Sequence, residues 1–349
     1  MSKVTHSGLR DSVKTMRTEF AEWDVGNQQW QVPRHTTLHR FRADGQINEL
    51  VSHNPNGSVS RSTYSYDAAD RLAEVQFRLD DGPVSKTLYR YDDLGRVVQT
   101  IAVDGDSTER KAATWNYDNA GRKTKIEFVS EPRGGMACST AYGIEGTEQS
   151  YFAEGVATIT TLFGDGDHPS EALLHDSGGR VILQVAFTRD NAGRLLCEEA
   201  RWPAMPASIE KRMADALPEE RAATAAIFAQ ILGREKVLSR TTYNYDERGR
   251  RIGRSESMGG MSADHTTWYY DDYDNPVRQI QEHKSHDMNI DESGNLQPSN
   301  EKSSRHEVRF DYQFDKNGNW TERVVSVRYE SNPEFQRSNI ERREIIYYV

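Results

Sequence analysis

Apolar and polar positions alternate along most of this chain in short runs. In Tyr64-Ser65-Tyr66, Tyr89-Arg90-Tyr91, Trp115-Asn116-Tyr117, Tyr243-Asn244-Tyr245 and Trp268-Tyr269-Tyr270, two aromatic residues bracket a third residue. Side chains on a strand point to opposite faces in turn, so the two bracketing rings share one face. Segments between these groups, such as Val97-Val98-Gln99-Thr100-Ile101-Ala102-Val103, read as strands by their β-branched content. The pattern predicts a mainly β protein of short antiparallel strands.

Each aromatic pair runs into a turn. Asp, two variable residues, Gly and Arg follow in Asp92 to Gly95-Arg96, Asp118 to Gly121-Arg122, Asp190 to Gly193-Arg194 and Asp246 to Gly249-Arg250. The Asp carboxylate accepts backbone N–H bonds in a type I turn, and the Gly supplies the positive φ that a hairpin with a bulge requires. The Arg then opens the return strand beside the Asp and the aromatic pair, placed for an ion pair or a cation–π contact. Read loosely, the phrase begins at Asp67, Asp92, Asp118, Asp176, Asp190, Asp246, Asp271 and Asp315, with Asp70 and Asp274 in the Gly place of two copies. Asp tolerates left-handed geometry better than most residues, so those turns survive the change. Tyr66 to Tyr91 is 25 residues and Tyr91 to Tyr117 is 26, a period that marks a repeat array.

The phrase resembles the YD repeats, also called RHS repeats, of bacterial Rhs and Tc-toxin proteins and of teneurins. The resemblance implies hairpins joined edge to edge into a long curved or spiralling antiparallel sheet. The chain departs from large relatives in having few repeats, no Asp-Pro dipeptide for the core signature and no toxin domain after its last strand-like segment. The organisation expected is one continuous domain: a capping segment over 1–35, a first part of the sheet over 36–205, a helical insert over 206–236 and a second part over 237–349. The insert is read from Ser208 as a helix cap, Pro218 as the start of a second helix, and Ala223, Ala226, Ile227, Ile231 and Leu232 at helical spacing. Asp287 to Ser304, polar and containing Gly, Pro and Asn, reads as a loop.

Charge and composition narrow the function. A net charge of −10 argues against general nucleic-acid binding, which needs a basic face to neutralise phosphates. No signal-peptide-like start and no long apolar run appear, so the cytoplasm is the expected compartment, with leaderless export left open. Cys138 and Cys197 are too few for a disulfide framework and read as reduced structural thiols.

Candidate chemistry is thin. His283 and His286, three apart on a strand, fall on opposite faces and make a poor metal pair. Asp165-Gly166-Asp167-His168 lacks the longer ligand series of a calcium loop. No nucleophile motif or phosphate loop is present, so no cofactor, metal or enzymatic activity is expected. The function that follows is a non-enzymatic repeat scaffold binding a macromolecular partner, most readily a protein, through an exposed face or edge of the sheet. The alternatives are a carbohydrate-binding or cell-surface module and an accessory protein of a toxin or secretion system.

Overall fold

The computed structural model describes residues 9, 12–103, 109–128, 137–138, 150–151, 156–164, 166–203, 214–215, 217–218, 221–222, 225, 237–258, 262–290 and 296–348. Its complete elements are all strands. The first group comprises β1 (Val13–Asp24), β2 (Gln29–Trp30), β3 (His35–Phe41), β4 (Ile47–His53), β5 (Val59–Tyr66), β6 (Leu72–Leu79), β7 (Ser85–Tyr91) and β8 (Val97–Val103). Then come β9 (Glu109–Tyr117), β10 (Lys123–Phe128), the short β11 (Ala137–Cys138) and β12 (Ser150–Tyr151), β13 (Thr158–Phe163), β14 (Pro169–His175), β15 (Val181–Arg189) and β16 (Leu195–Arg201). The last are β17 (Val237–Tyr245), β18 (Arg251–Met258), β19 (Ser262–Tyr270), β20 (Pro276–Ile290), β21 (Leu296–Phe314), β22 (Trp320–Tyr329) and β23 (Asn332–Tyr347).

All but β11 and β12 belong to one 21-stranded sheet, in which β2 is a two-residue extension on β1. Neighbours in sequence from β3 to β8 and from β13 to β19 pair antiparallel, as do β9 with β10, β10 with β13 and β22 with β23, as the hairpin phrase predicts. The first strand nevertheless has no free edge. β1 pairs with β3 along one side, Met16 opposite His39, and with β23 along the other, Met16 opposite Ile345. The expected open, spiralling sheet is therefore corrected at its first strand, which is hydrogen-bonded on both flanks, to β3 and to β23. The physical reason is that a strand has two flanks, and pairing both removes an unpaired edge that an open sheet would expose.

The helical hairpin expected over 206–236 lies mostly outside the described residues, and no complete helix stands among the described elements. The expected loop from Asp287 to Ser304 is instead largely the ends of β20 and β21, two of the longest strands. The segment before residue 35, expected as a strand pair for capping, is the single long β1 with its short partner β2.

The described chain forms two compact units: residues 1–112, 275–278 and 307–349, and residues 113–274 and 279–306. The second unit contains an apolar cluster in which Ile126, Ile159, Leu174, Leu183 and Val185 are almost fully buried, joined by Phe187, Trp202 and Tyr243. Register puts these on one face, Ile126 opposite Ile159 and Leu174 opposite Leu183. In the first unit the buried apolar cluster is smaller, with Leu9, Val13 and Met16 packed against Phe41, Ile345 and Tyr347.

Candidate binding face

The repeated turn is a closed set of bonds. Asp92 N–H donates to the Arg96 carbonyl and Gly95 N–H to the Asp92 carbonyl, both at 3.0 Å. Asp92 Oδ1 accepts from Leu94 N–H at 3.0 Å and Arg96 N–H at 2.8 Å, while Oδ2 accepts from Arg96 Nε at 2.7 Å. Asp118 with Arg122, Asp190 with Arg194 and Asp246 with Arg250 repeat the side-chain bond at 2.7 Å. Gly95, Gly121, Gly193 and Gly249 have φ between 76° and 83°, the left-handed region a β-carbon disfavours. Asp70 and Asp274 occupy that region too, at 57° and 68°. The backbone N–H and guanidinium of the following Arg hold the carboxyls of Asp92, Asp118 and Asp190 below the ordinary aspartate range.

Successive hairpins are then stitched together. Tyr66 Oη donates to the Ile47 carbonyl at 2.6 Å, and Tyr91 Oη to the Leu72 carbonyl at 2.7 Å. The Arg of the earlier turn lies over the same ring: Arg42 is 4.9 Å from the Tyr66 centroid and Arg71 4.4 Å from that of Tyr91. The second unit uses the same device, with Tyr245 bonded to Leu195 at 2.9 Å under Arg194, and Tyr270 to Arg251 at 2.7 Å under Arg250. Each Arg thus serves its own turn Asp and the Tyr of the next hairpin. Of the other repeat aromatics, Tyr243 is buried in the apolar cluster and bonds Glu198, Trp115 packs against that cluster, and Tyr64, Tyr89, Tyr117 and Trp268 are half-buried. Asp176 makes the same turn with Arg180, but β15 separates it from the Asp190 turn, so it sits at the opposite end of that strand.

The two faces of the sheet differ in the first unit. One carries cross-strand charge: Arg40 and Arg61 both contact Glu49, and Glu322 pairs with Arg342 at 3.0 Å. The other carries the repeat aromatics and a cluster outside the phrase. Register places Arg343 opposite Thr18 and Arg323 opposite Glu341 on that face. The Arg343 guanidinium lies 3.3 Å from the Trp320 ring centre, and Arg323 lies 5.1 Å from it. Arg323 pairs with Glu341. Arg343 has no hydrogen bond or ion pair among the described residues, and the Nε atoms of Arg323 and Arg343 and Nδ1 of His39 are buried without a partner. Burial, with the Arg323 charge adding to it, lowers Arg343 to about 10, and burial with the Arg343 charge lowers His39. Two guanidiniums thus share one carboxylate.

Other polar clusters are satisfied internally. Buried Glu307 accepts from Arg278 Nε at 2.6 Å and from the Arg328 fork. His283 pairs with Asp264 at 2.8 Å, and His286 is half-buried on the same strand. Asp165 lies outside the described residues; Asp167 and His168 line a groove with Arg189 and Asp190. No group of three potential metal ligands occurs among the described residues. Cys197 is a half-buried free thiol, and of Cys138 the structure describes only its place in β11.

No family model matches the chain, and no curated protein matches it. Among solved structures it is similar to the TcdB2-TccC3-TEV complex, at 9% identity and a TM-score of 0.39 over 91% of this chain, which spans 15% of that one. It is similar to a porin-like protein from Bacteroides uniformis at 10% identity and a TM-score of 0.32, covering 97% of this chain and 99% of that one. A porin-like protein from Bacteroides vulgatus follows at 12% identity and a TM-score of 0.27, covering 81% and 99%.

These findings correct three expectations. Membership of the YD-repeat family is withdrawn, since no family model matches the chain. The scaffold with a protein-binding open edge is withdrawn as well, because β1 and β23 pair where that edge was expected. The cytoplasmic expectation is withdrawn too: it rested on the lack of a long apolar run, and strands cross a membrane without one. No helix among the described residues is long and apolar enough to cross a membrane, which leaves that question untouched.

Proposed function

We propose that the chain is a non-catalytic β-sheet protein that binds a small polar solute on its aromatic face, a carrier or transport role. One observation supports this above the rest. In the first unit the aromatic face holds polar groups without internal partners, Arg343 first among them, whereas the turn Asp and Arg residues are occupied in building the sheet. Buried N–H groups left unpaired cost free energy, and a bound solute relieves that cost. The Arg-Asp turns leave no carboxylate poised as a general base, which favours binding over turnover.

Thermal melting of the intact chain against a panel of sugars, amino acids, carboxylates and phosphates tests the reading. A saturable rise in melting temperature with a solute that emerges chemically unchanged is the expected result. No shift with any member of the panel, or turnover of a bound member, would overturn it. Ion conductance after addition to a planar bilayer would replace it with a membrane pore.

A further inference from the structure

Resting on the solute-binding reading, we infer that Arg323 and Arg343, stacked at Trp320, form a site for the carboxylate of a small aromatic or apolar acid. The two Arg residues come from the adjacent strands β22 and β23, and Glu341, two residues before Arg343, neutralises only one of them. The Arg343 guanidinium carbon sits 3.3 Å from the Trp320 ring centre, and that of Arg323 5.8 Å from the Phe310 ring centre. A guanidinium offers a planar N–H fork that matches a carboxylate with two parallel bonds, and the rings beside it confine its position.

Three features favour a ligand over a structural role. The paired alternative already exists in this protein, where Glu307 accepts from Arg278 and Arg328 and is buried. At Arg343 no carboxylate stands within ion-pair distance among the described residues, and Glu341 acts on it only from beyond that distance. The Arg323 side chain is 27% exposed and that of Glu341 21%, so the site can be reached from solvent. The surrounding rings suit an apolar body behind the carboxylate, since Phe41, Ile345 and Tyr347 pack together on the same face and His39 stacks on Phe41 at 6.1 Å. Inorganic phosphate shares the charge but lacks such a body.

Isothermal titration calorimetry of the intact chain with benzoate, and separately with inorganic phosphate, tests the site. Benzoate should bind, and Arg343→Gln should weaken it by about 10- to 100-fold, the span that loss of a charged hydrogen bond carries. Arg343→Lys keeps the charge without the fork; it should bind more weakly than the parent and serves if the Gln variant fails to fold. Arg61→Gln on the opposite face should leave benzoate affinity unchanged. Unaltered affinity in both Arg343 variants would sink the site while leaving solute binding standing. Absence of benzoate binding to the parent, or tighter binding of phosphate, would overturn the carboxylate assignment, and the outcomes that remove the wider reading are those of the solute panel and the bilayer test.

Discussion

The same face of the sheet is solved in two ways by the two units. In the second unit it is filled by aliphatic side chains, with Ile159, Leu183 and Val185 at 0% exposure. In the first it is lined by half-buried aromatics, two Arg residues and a His, and its buried apolar cluster is small. The turns and Tyr stitches are alike in both. Secondary structure is thus set by a device independent of what fills the face, and the face is left free to be packed differently in the two units.

The sharpest way to break this comparison is to truncate the filled face. Ile159→Ala should cost about 2–5 kcal/mol in urea unfolding, while Leu50→Ala on the half-buried face of the first unit should cost well under half of that. Equal losses would mean that the first unit is as tightly packed as the second. Next in size, Gly121→Val should cost about 1–2 kcal/mol through left-handed strain. Gly193→Ala should exceed Gly95→Ala, because a β-carbon at Gly193 falls on the His168 imidazole, whereas at Gly95 it meets only the far end of Arg71 at 3.8 Å.

The shared stitch predicts equality. Tyr91→Phe in the first unit and Tyr270→Phe in the second should each cost about 1 kcal/mol, the net worth of one hydrogen bond. A twofold disparity would show that the stitch depends on what fills the face after all. The smallest effect concerns acid. The carboxyls of Asp92, Asp118 and Asp190 are depressed, so the stability they contribute is present above the ordinary aspartate value of 3.8 and is lost as pH falls through their lower folded values. The melting temperature should hold from neutrality to about pH 5 and drop below about pH 4, and Asp92→Asn should flatten that drop slightly.

The turns were legible because they are local. Asp-x-x-Gly-Arg contains its own donors, acceptor and positive-φ residue, and the stitching Tyr is the last strand residue before the next turn Asp. Two further turns escaped the phrase. Arg42 to Gln46 and Asn54 to Ser58 have the same backbone bonds, with Gly45 at φ 85° and Gly57 at φ 84°, but begin on Arg and Asn. A Gly in the fourth place with Asp or Asn just before it was the usable signal. Closure was illegible for the opposite reason: the pairing of β1 with β23 joins segments that share no phrase and lie at opposite ends of the sequence. The Arg323 and Arg343 pair was missed because it sits outside the repeats. Its only trace is the alternation Glu341, Arg343, Ile345 and Tyr347 along β23.

That seam also sets an order of events during synthesis. β1 emerges first and can pair with β3 at once, yet its other flank must wait for β23, and the bond from Tyr348 to the Phe41 carbonyl spans 307 residues. Until then the nascent chain carries an unpaired strand flank that invites pairing with a neighbour. Closing so distant a contact is slow, so the pairing of β1 with β23 is a late step, and the yield of monomer should depend on how dilute the growing chains are while they wait.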